Sequence, residues 1–155
     1  MTSPDLPVSL PYSPALATGI SDVLGADMDQ TAADLGLFVI PFKCEVLEAG
    51  LAITETCAGG STTPVVDFDS RPTAGSDSSR GAADIAHLVL GTTAAGKVVY
   101  DLAGKGTILY PGQEVVVQLT TQATGTSAAG HGRPYLLVKY IPETSANLSA
   151  KTLTT

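Results

Sequence analysis

Tryptophan is absent from this 155-residue chain, aromatic residues of all kinds make up 5%, and charged residues only 15%. The aromatic shortage speaks against a carbohydrate-binding module, whose sugar platforms use Trp and Tyr. Soluble domains usually carry about a quarter Asp, Glu, Lys and Arg. The charge deficit here fits a surface covered by partners, or one solvated by Thr, Ser and Gly instead. Cations are scarcer still: 8 Lys and Arg stand against 15 Asp and Glu, a net charge of −7 with a sequence pI near 4.5. Phosphate binding needs clustered Lys and Arg, so direct contact with nucleic acid is not expected. No stretch approaches the ~20 apolar residues of a membrane span. The N-terminus carries neither a Lys or Arg nor a sustained apolar region, so no membrane association and synthesis in the cytoplasm are expected.

Cysteine is nearly absent too. Cys44 and Cys57 are too few for a zinc site and lack the spacing of a redox pair. A hairpin of 43–49 and 52–57 around Gly50-Leu51 sets Cys44 opposite Cys57. Slipping it by one residue separates them to opposite faces, pairing Leu47 with Ile53 at the cost of Glu45 against Glu55. Buried free thiols, favoured in a reducing cytosol, and a bridge both remain open.

What the chain does contain is β pattern. DIAHLVLGTT, GKVVYDL, GTILYPG, EVVVQLTTQAT and RPYLLVKYIPE place apolar residues at period two, and most are separated by Gly or Pro-Gly punctuation. From Leu37 onward LFVIPF, KCEVLEA, LAITETC and TPVVDFD continue it, with Pro41 marking an edge or bend. The expected fold is all-β, an antiparallel β-sandwich of jelly-roll type with about eight strands and an extended N-terminal arm. Val115, Val117 and Leu119 are expected to face the core, as are Val98, Tyr100 and Leu102. Tyr110-Pro111-Gly112-Gln113 reads as a tight turn, 91–96 as a hairpin connection and 125–132 as a flexible loop.

The domain reading is an arm over 1–34, a sandwich over 35–142 and a tail over 143–155. In the arm, Pro4, Pro7, Pro11 and Pro14 exclude a regular helix, and Leu6, Val8, Leu10, Tyr12 and Leu16 supply apolar side chains to a segment with no core of its own. These five are the candidate partner-binding residues. About 14 such residues reach roughly 45 Å. Short helical turns are expected after Ser21 or Asp22 and over Asp29–Leu35. The polar stretch 70–83 is long enough to suggest binding or mobility, with Arg71, Asp77 and Arg80 as candidate contacts. Asp67, Asp69, Asp77 and Asp84 invite a calcium reading, but their spacing matches no EF-hand. An Asp and Arg network pinning the loop is preferred, and no metal or cofactor is expected.

Catalysis has little to stand on. His87 is expected to pack beside Ile85 and Val89, and His131 to be solvated in a glycine loop. There is no G-x-S-x-G turn, and no sugar platform flanks Asp67 and Asp69. No catalytic residues are assigned.

The runs TPVVDFDSRPTAGSDSSRG, DIAHLVLGTTAAGKVVYDL and ILYPGQEVVVQLTT, and within them AAGKVVY and PGQEVVV, resemble small virion structural proteins of tailed bacteriophages, of the capsid decoration or cement type. The likeness spans roughly residues 37 to 142. It implies a non-enzymatic homo-oligomer, often a trimer, on the capsid surface, made in the host cytoplasm, with arms that clasp the major capsid protein. No matching pattern covers the arm of this chain. The alternatives are a tail or baseplate component, a host-surface-binding β domain and, last, a hydrolase.

Overall fold

The computed structural model describes residues 25–71 and 83–142. Leu6, Val8, Leu10, Tyr12, Leu16, the helix start at Ser21 or Asp22, Asp77, Arg80 and the tail 143–155 lie outside the described residues. Among the described residues nine strands are formed: β1 Ala26–Asp27, β2 Asp34–Val39, β3 Cys44–Ala58, β4 Val65–Arg71, β5 Ala83–Val89, β6 Val98–Asp101, β7 Ile108–Leu109, β8 Glu114–Thr121 and β9 Ala129–Tyr140. There is no helix among the described residues, and so none long and apolar enough to cross a membrane.

The strands make two antiparallel sheets. One runs β1-β9-β3-β6, with β7 also on β3, and the other runs β2-β8-β4-β5. Both turn their alternate residues into one core, which makes the architecture sandwich-like. Val46, Leu51, Ile53, Leu136 and Val138 enter it from the first sheet, and Phe38, Val66, Phe68, Leu88 and Leu119 from the second. Phe38 on β2 and Phe68 on β4 stack with ring centroids 6.2 Å apart. Val115, Val117 and Leu119 all face inward, as their alternation requires. Val116 points the other way, between Leu37 and Asp69 in the ladder, and is closed off as well.

Pairing begins earlier than the arm boundary drawn from sequence. Ala26 pairs with Gly132 and Asp27 with His131, and Met28 is fully buried. The turn expected over Asp29–Leu35 does not form as a helix. Leu35 and Phe38 find more apolar burial as part of β2, which pairs with β8 through a bulge between Asp34 and Gly36. β2 is an edge strand that stops before Pro41, where a residue lacking N–H is tolerated.

No hairpin turns at Gly50-Leu51. Residues 44–58 form one continuous strand, paired along its length with β9 on one side and with β6 and β7 on the other. Cys44 and Cys57 therefore sit near opposite ends of this 15-residue strand, about 40 Å apart at ~3.3 Å per residue. Both are buried and free. Burial pushes the Cys44 thiol up to about 12, and burial, with the Glu55 carboxylate second, pushes Cys57 up to about 11. Thiolate is the reactive form. Native protein at pH 8 is accordingly expected to release almost no chromophore from a disulfide reagent, and two equivalents once denaturant is added.

Two connections and one strand also differ from the sequence reading. Residues 91–96 carry the chain from β5 in one sheet to β6 in the other, so they are not a hairpin. β9 starts at Ala129, which turns the second half of the 125–132 loop into strand. A bulge opposite Phe68 and Asp69 leaves Ile85 unpaired in the ladder, so Ile85 and Ala86 are both buried. His87 is thereby pushed to the outer side, with its side chain 61% exposed. The tight turn at Tyr110–Gln113 forms as expected, the Gln113 N–H donating to the Tyr110 carbonyl and Gly112 taking φ +90°.

Candidate protein-interaction surface

The apolar row of β6 points away from the core, contrary to its sequence reading. Val99 pairs with the fully buried Leu51 and packs against the core, whereas Tyr100 pairs with Gly50 and Val98 with Ala52 on the outer face. Val98, Tyr100 and Leu102 are 53%, 56% and 49% exposed. Two contacts set this parity. The Lys97 carbonyl accepts the Ile53 N–H at 2.8 Å, fixing which residues of the strand turn toward β3. At the other end, Asp101 reaches across to the second sheet, its carboxylate accepting the His87 N–H at 3.0 Å and the Ala103 N–H at 2.9 Å.

Asp101 thus ties edge strand β6 to edge strand β5. The His87 N–H hydrogen bond, opposed by some burial and aided by the Ala103 N–H, holds its carboxyl below the ordinary 3.8. A depressed carboxyl contributes stability that is complete above its unfolded value and is lost as the pH falls through the folded one. Asp101→Asn is expected to lower the urea midpoint at pH 7, with the gap to the parent closing as the pH drops below about 4. Paired urea titrations from pH 7 to 2.5 measure it, and a constant gap would mean that the carboxylate charge plays no part.

Next to β6 the outer face is built around a glycine. Gly50 lies in register between Tyr100 of β6 and Tyr135 of β9. A Cβ there would stand 2.6 Å from the Tyr135 hydroxyl oxygen and 2.6 Å from the Val99 carbonyl oxygen. The missing side chain lets the Tyr135 ring lie down across the sheet, its hydroxyl donating to Glu48 Oε1 at 2.5 Å. Burial first, and the Glu48 hydrogen bond second, push the Tyr135 hydroxyl well above its usual range, so it remains a donor. Half-buried Leu137 stands opposite Glu48 on β9. Glu45 pairs with Lys139, and Arg133 stands opposite Ala52. Apolar groups hold the middle and charges the margin, the anatomy of a protein–protein contact.

The residues singled out from sequence are placed elsewhere. Arg71 ends β4 in the second sheet, and its Nε meets Glu114 Oε2 of β8 at 2.5 Å, so there it ties two strands together. On the same sheet Asp67 Oδ1 meets His87 Nδ1 at 2.5 Å, an outer-face pair in direct register. His131 is not solvated in a loop: it belongs to β9, is 14% exposed, and its Nδ1 meets Glu55 Oε2. The two histidines lie on different sheets, each against its own carboxylate. Among the described residues, no group of three or more His, Cys, Asp or Glu is arranged to hold a metal ion.

The outer-face tyrosines were missed because period two does not say which side of an edge strand is wet. The available signal was that Asp101 and Lys97 flank Val99, so either face of β6 needed a further reason to be buried. Comparison of the chain with protein-family models, with curated proteins and with solved structures finds no match in any of the three, which leaves this sheet face as the basis for assigning a function.

Proposed function

We propose that the chain is a non-enzymatic virion structural protein, a decoration protein that binds the major capsid protein lattice of a tailed bacteriophage and stabilises it as a homo-oligomer, in the trimeric form that the sequence resemblance implies. The observation that carries this reading is the outward row Val98, Tyr100 and Leu102, joined by Tyr135 and Leu137. An edge strand with such a row is an aggregation hazard unless a partner covers it.

The finer fold reading is a jelly roll. It is supported by the nesting of the ladders, in which β1 pairs with β9, β2 with β8, β3 with β6 and β7, and β4 with β5. Early strands meet late ones in reverse order, as when a long hairpin is wrapped into two sheets. Such folds recur in viral capsid and lectin domains. The low charge of the chain and its apolar arm residues Leu6, Val8, Leu10, Tyr12 and Leu16 support the same function. A capsid repeats one surface many times, so modest contacts made by each arm and sheet of an oligomer act together. Net negative charge keeps the decorated particles apart and repels stray nucleic acid.

Electron microscopy of particles made with and without the chain tests the proposal. Added density in many copies over the head, lost when the chain is omitted, is the expected result. Density confined to the tail or baseplate favours the alternative of a tail or host-binding component, and no density on either part overturns both.

A further inference from the structure

The arm and the outer edge of β6 carry matching patterns. Among the described residues β6 is the last strand of its sheet, so one of its edges has no β partner there. Because the Lys97 carbonyl turns to β3, the two-residue repeat of an antiparallel ladder turns Val99 and Asp101 to β3 as well. The N–H and C=O groups of Val98 and Tyr100 therefore face the open edge, on the residues whose side chains form the outward apolar row.

Residues 5–12 read Asp-Leu-Pro-Val-Ser-Leu-Pro-Tyr. In an extended strand, residues of one parity share both a side-chain face and a hydrogen-bonding edge. Leu6, Val8, Leu10 and Tyr12 have one parity, each apolar and each with an N–H. Pro7, Ser9 and Pro11 have the other, so both prolines put their missing N–H on the opposite edge. That is the arrangement of a strand added at a sheet margin, paired on one side and blunted on the other. Pro4 and Pro14 return to the first parity and end the pairing capacity at either side.

We propose that residues 5–12 add to the β6 edge of their own chain as an antiparallel strand, with Leu6, Val8, Leu10 and Tyr12 beside Val98 and Tyr100 on the outer face. The antiparallel direction follows from the match, since residues that exchange hydrogen bonds in such a ladder share a face. The length of chain allows it. Gly25 precedes Ala26, whose partner Gly132 also pairs with Ile53, one residue from the Ala52 that pairs with Val98. The described chain thus begins level with the Val98 end of β6, where an antiparallel segment would bring out Tyr12. Crossing from β1 to the added strand takes four strand spacings, about 19 Å. The residues from Tyr12 to Gly25 extend to roughly 40 Å. Closure within one chain is favoured over capture from a second by the high effective concentration of a tethered segment. The added strand widens the apolar face that the proposed function offers to partners, but its existence does not depend on that function.

The test is amide hydrogen exchange on the full chain, comparing the parent with Val8→Pro and Ser9→Pro. Val8→Pro removes an N–H aimed at β6, and Ser9→Pro one aimed at solvent. In the parent, the Tyr100 amide is expected to exchange at least tenfold more slowly than an open-edge amide. That protection is lost in Val8→Pro and kept in Ser9→Pro, while the Leu51 amide of β3 stays protected in all three and light scattering reports the same mass across concentrations. Free exchange of Tyr100 in the parent overturns the proposal, and so does equal behaviour of the two proline variants. Protection that follows protein concentration together with a doubled mass assigns the strand to a second copy and overturns it too.

Discussion

Phe68→Ala is expected to lower the unfolding free energy by about 3–5 kcal/mol, the range for removing a fully buried aromatic from a packed core. The ring has no exposed surface and stacks on Phe38 between the two sheets. Its strand neighbours are already committed: Phe68 pairs with Val117 on one side and Ala86 on the other. The bulge at Ile85 lies beside the same position. With only 3 Phe and no Trp in the chain, few other side chains are large enough to fill it. A marginally stable domain loses much of its total stability at that cost. Urea and thermal unfolding followed by circular dichroism measure it, with Phe68→Leu expected to recover more than half of the loss.

The second large effect is on association. Under the proposed function, Val98→Asp combined with Tyr100→Asp is expected to reduce the proposed capsid binding by at least two orders of magnitude while leaving the melting temperature within a few degrees of the parent. Removing a Tyr from the middle of an interface costs on the order of 2 kcal/mol or more, and an unpaired carboxylate forced into the contact adds desolvation. Both side chains point outward at more than half exposure, so the core does not register the change. Copies bound per particle, counted from gel bands against the major capsid protein, give the readout. Undiminished decoration by a folded double variant would remove the sheet face from the proposed interface.

Much of this architecture was legible in the chain, and the reasons differ by element. EVVVQLT announced β8 and its inward face because three valines, a leucine and flanking polar residues leave one consistent register. The Pro-Gly turn before it was equally plain, since Gly112 needs positive φ. β3 was misread because Gly50 resembles turn punctuation. Its glycine serves a neighbour, Tyr135, whose ring needs the space, and that requirement lies 85 residues along the chain where no local pattern records it. His87 was misplaced by the bulge at Ile85, which shifts parity by one residue without a glycine or proline to mark it. The outward face of β6 was hidden for a related reason: its orientation is imposed by Asp101 reaching the His87 amide in the other sheet. In each case the deciding partner is distant in sequence, which single-strand periodicity does not encode.

The nested ladders set an order of events during synthesis. β9 is the strand that joins β1 to β3, and it ends at Tyr140, close to the last described residue. A ribosome must therefore release nearly every strand before the first sheet can close, and β1 waits for a mate more than a hundred residues downstream. Chains dominated by such remote pairings cross their rate-limiting barrier in milliseconds to seconds. During that wait the second sheet can already form, since β2, β4 and β5 all precede β8, but the edge of the long β3 that β9 will cover stays open, so nascent copies crowded on one message face their greatest danger of clumping there.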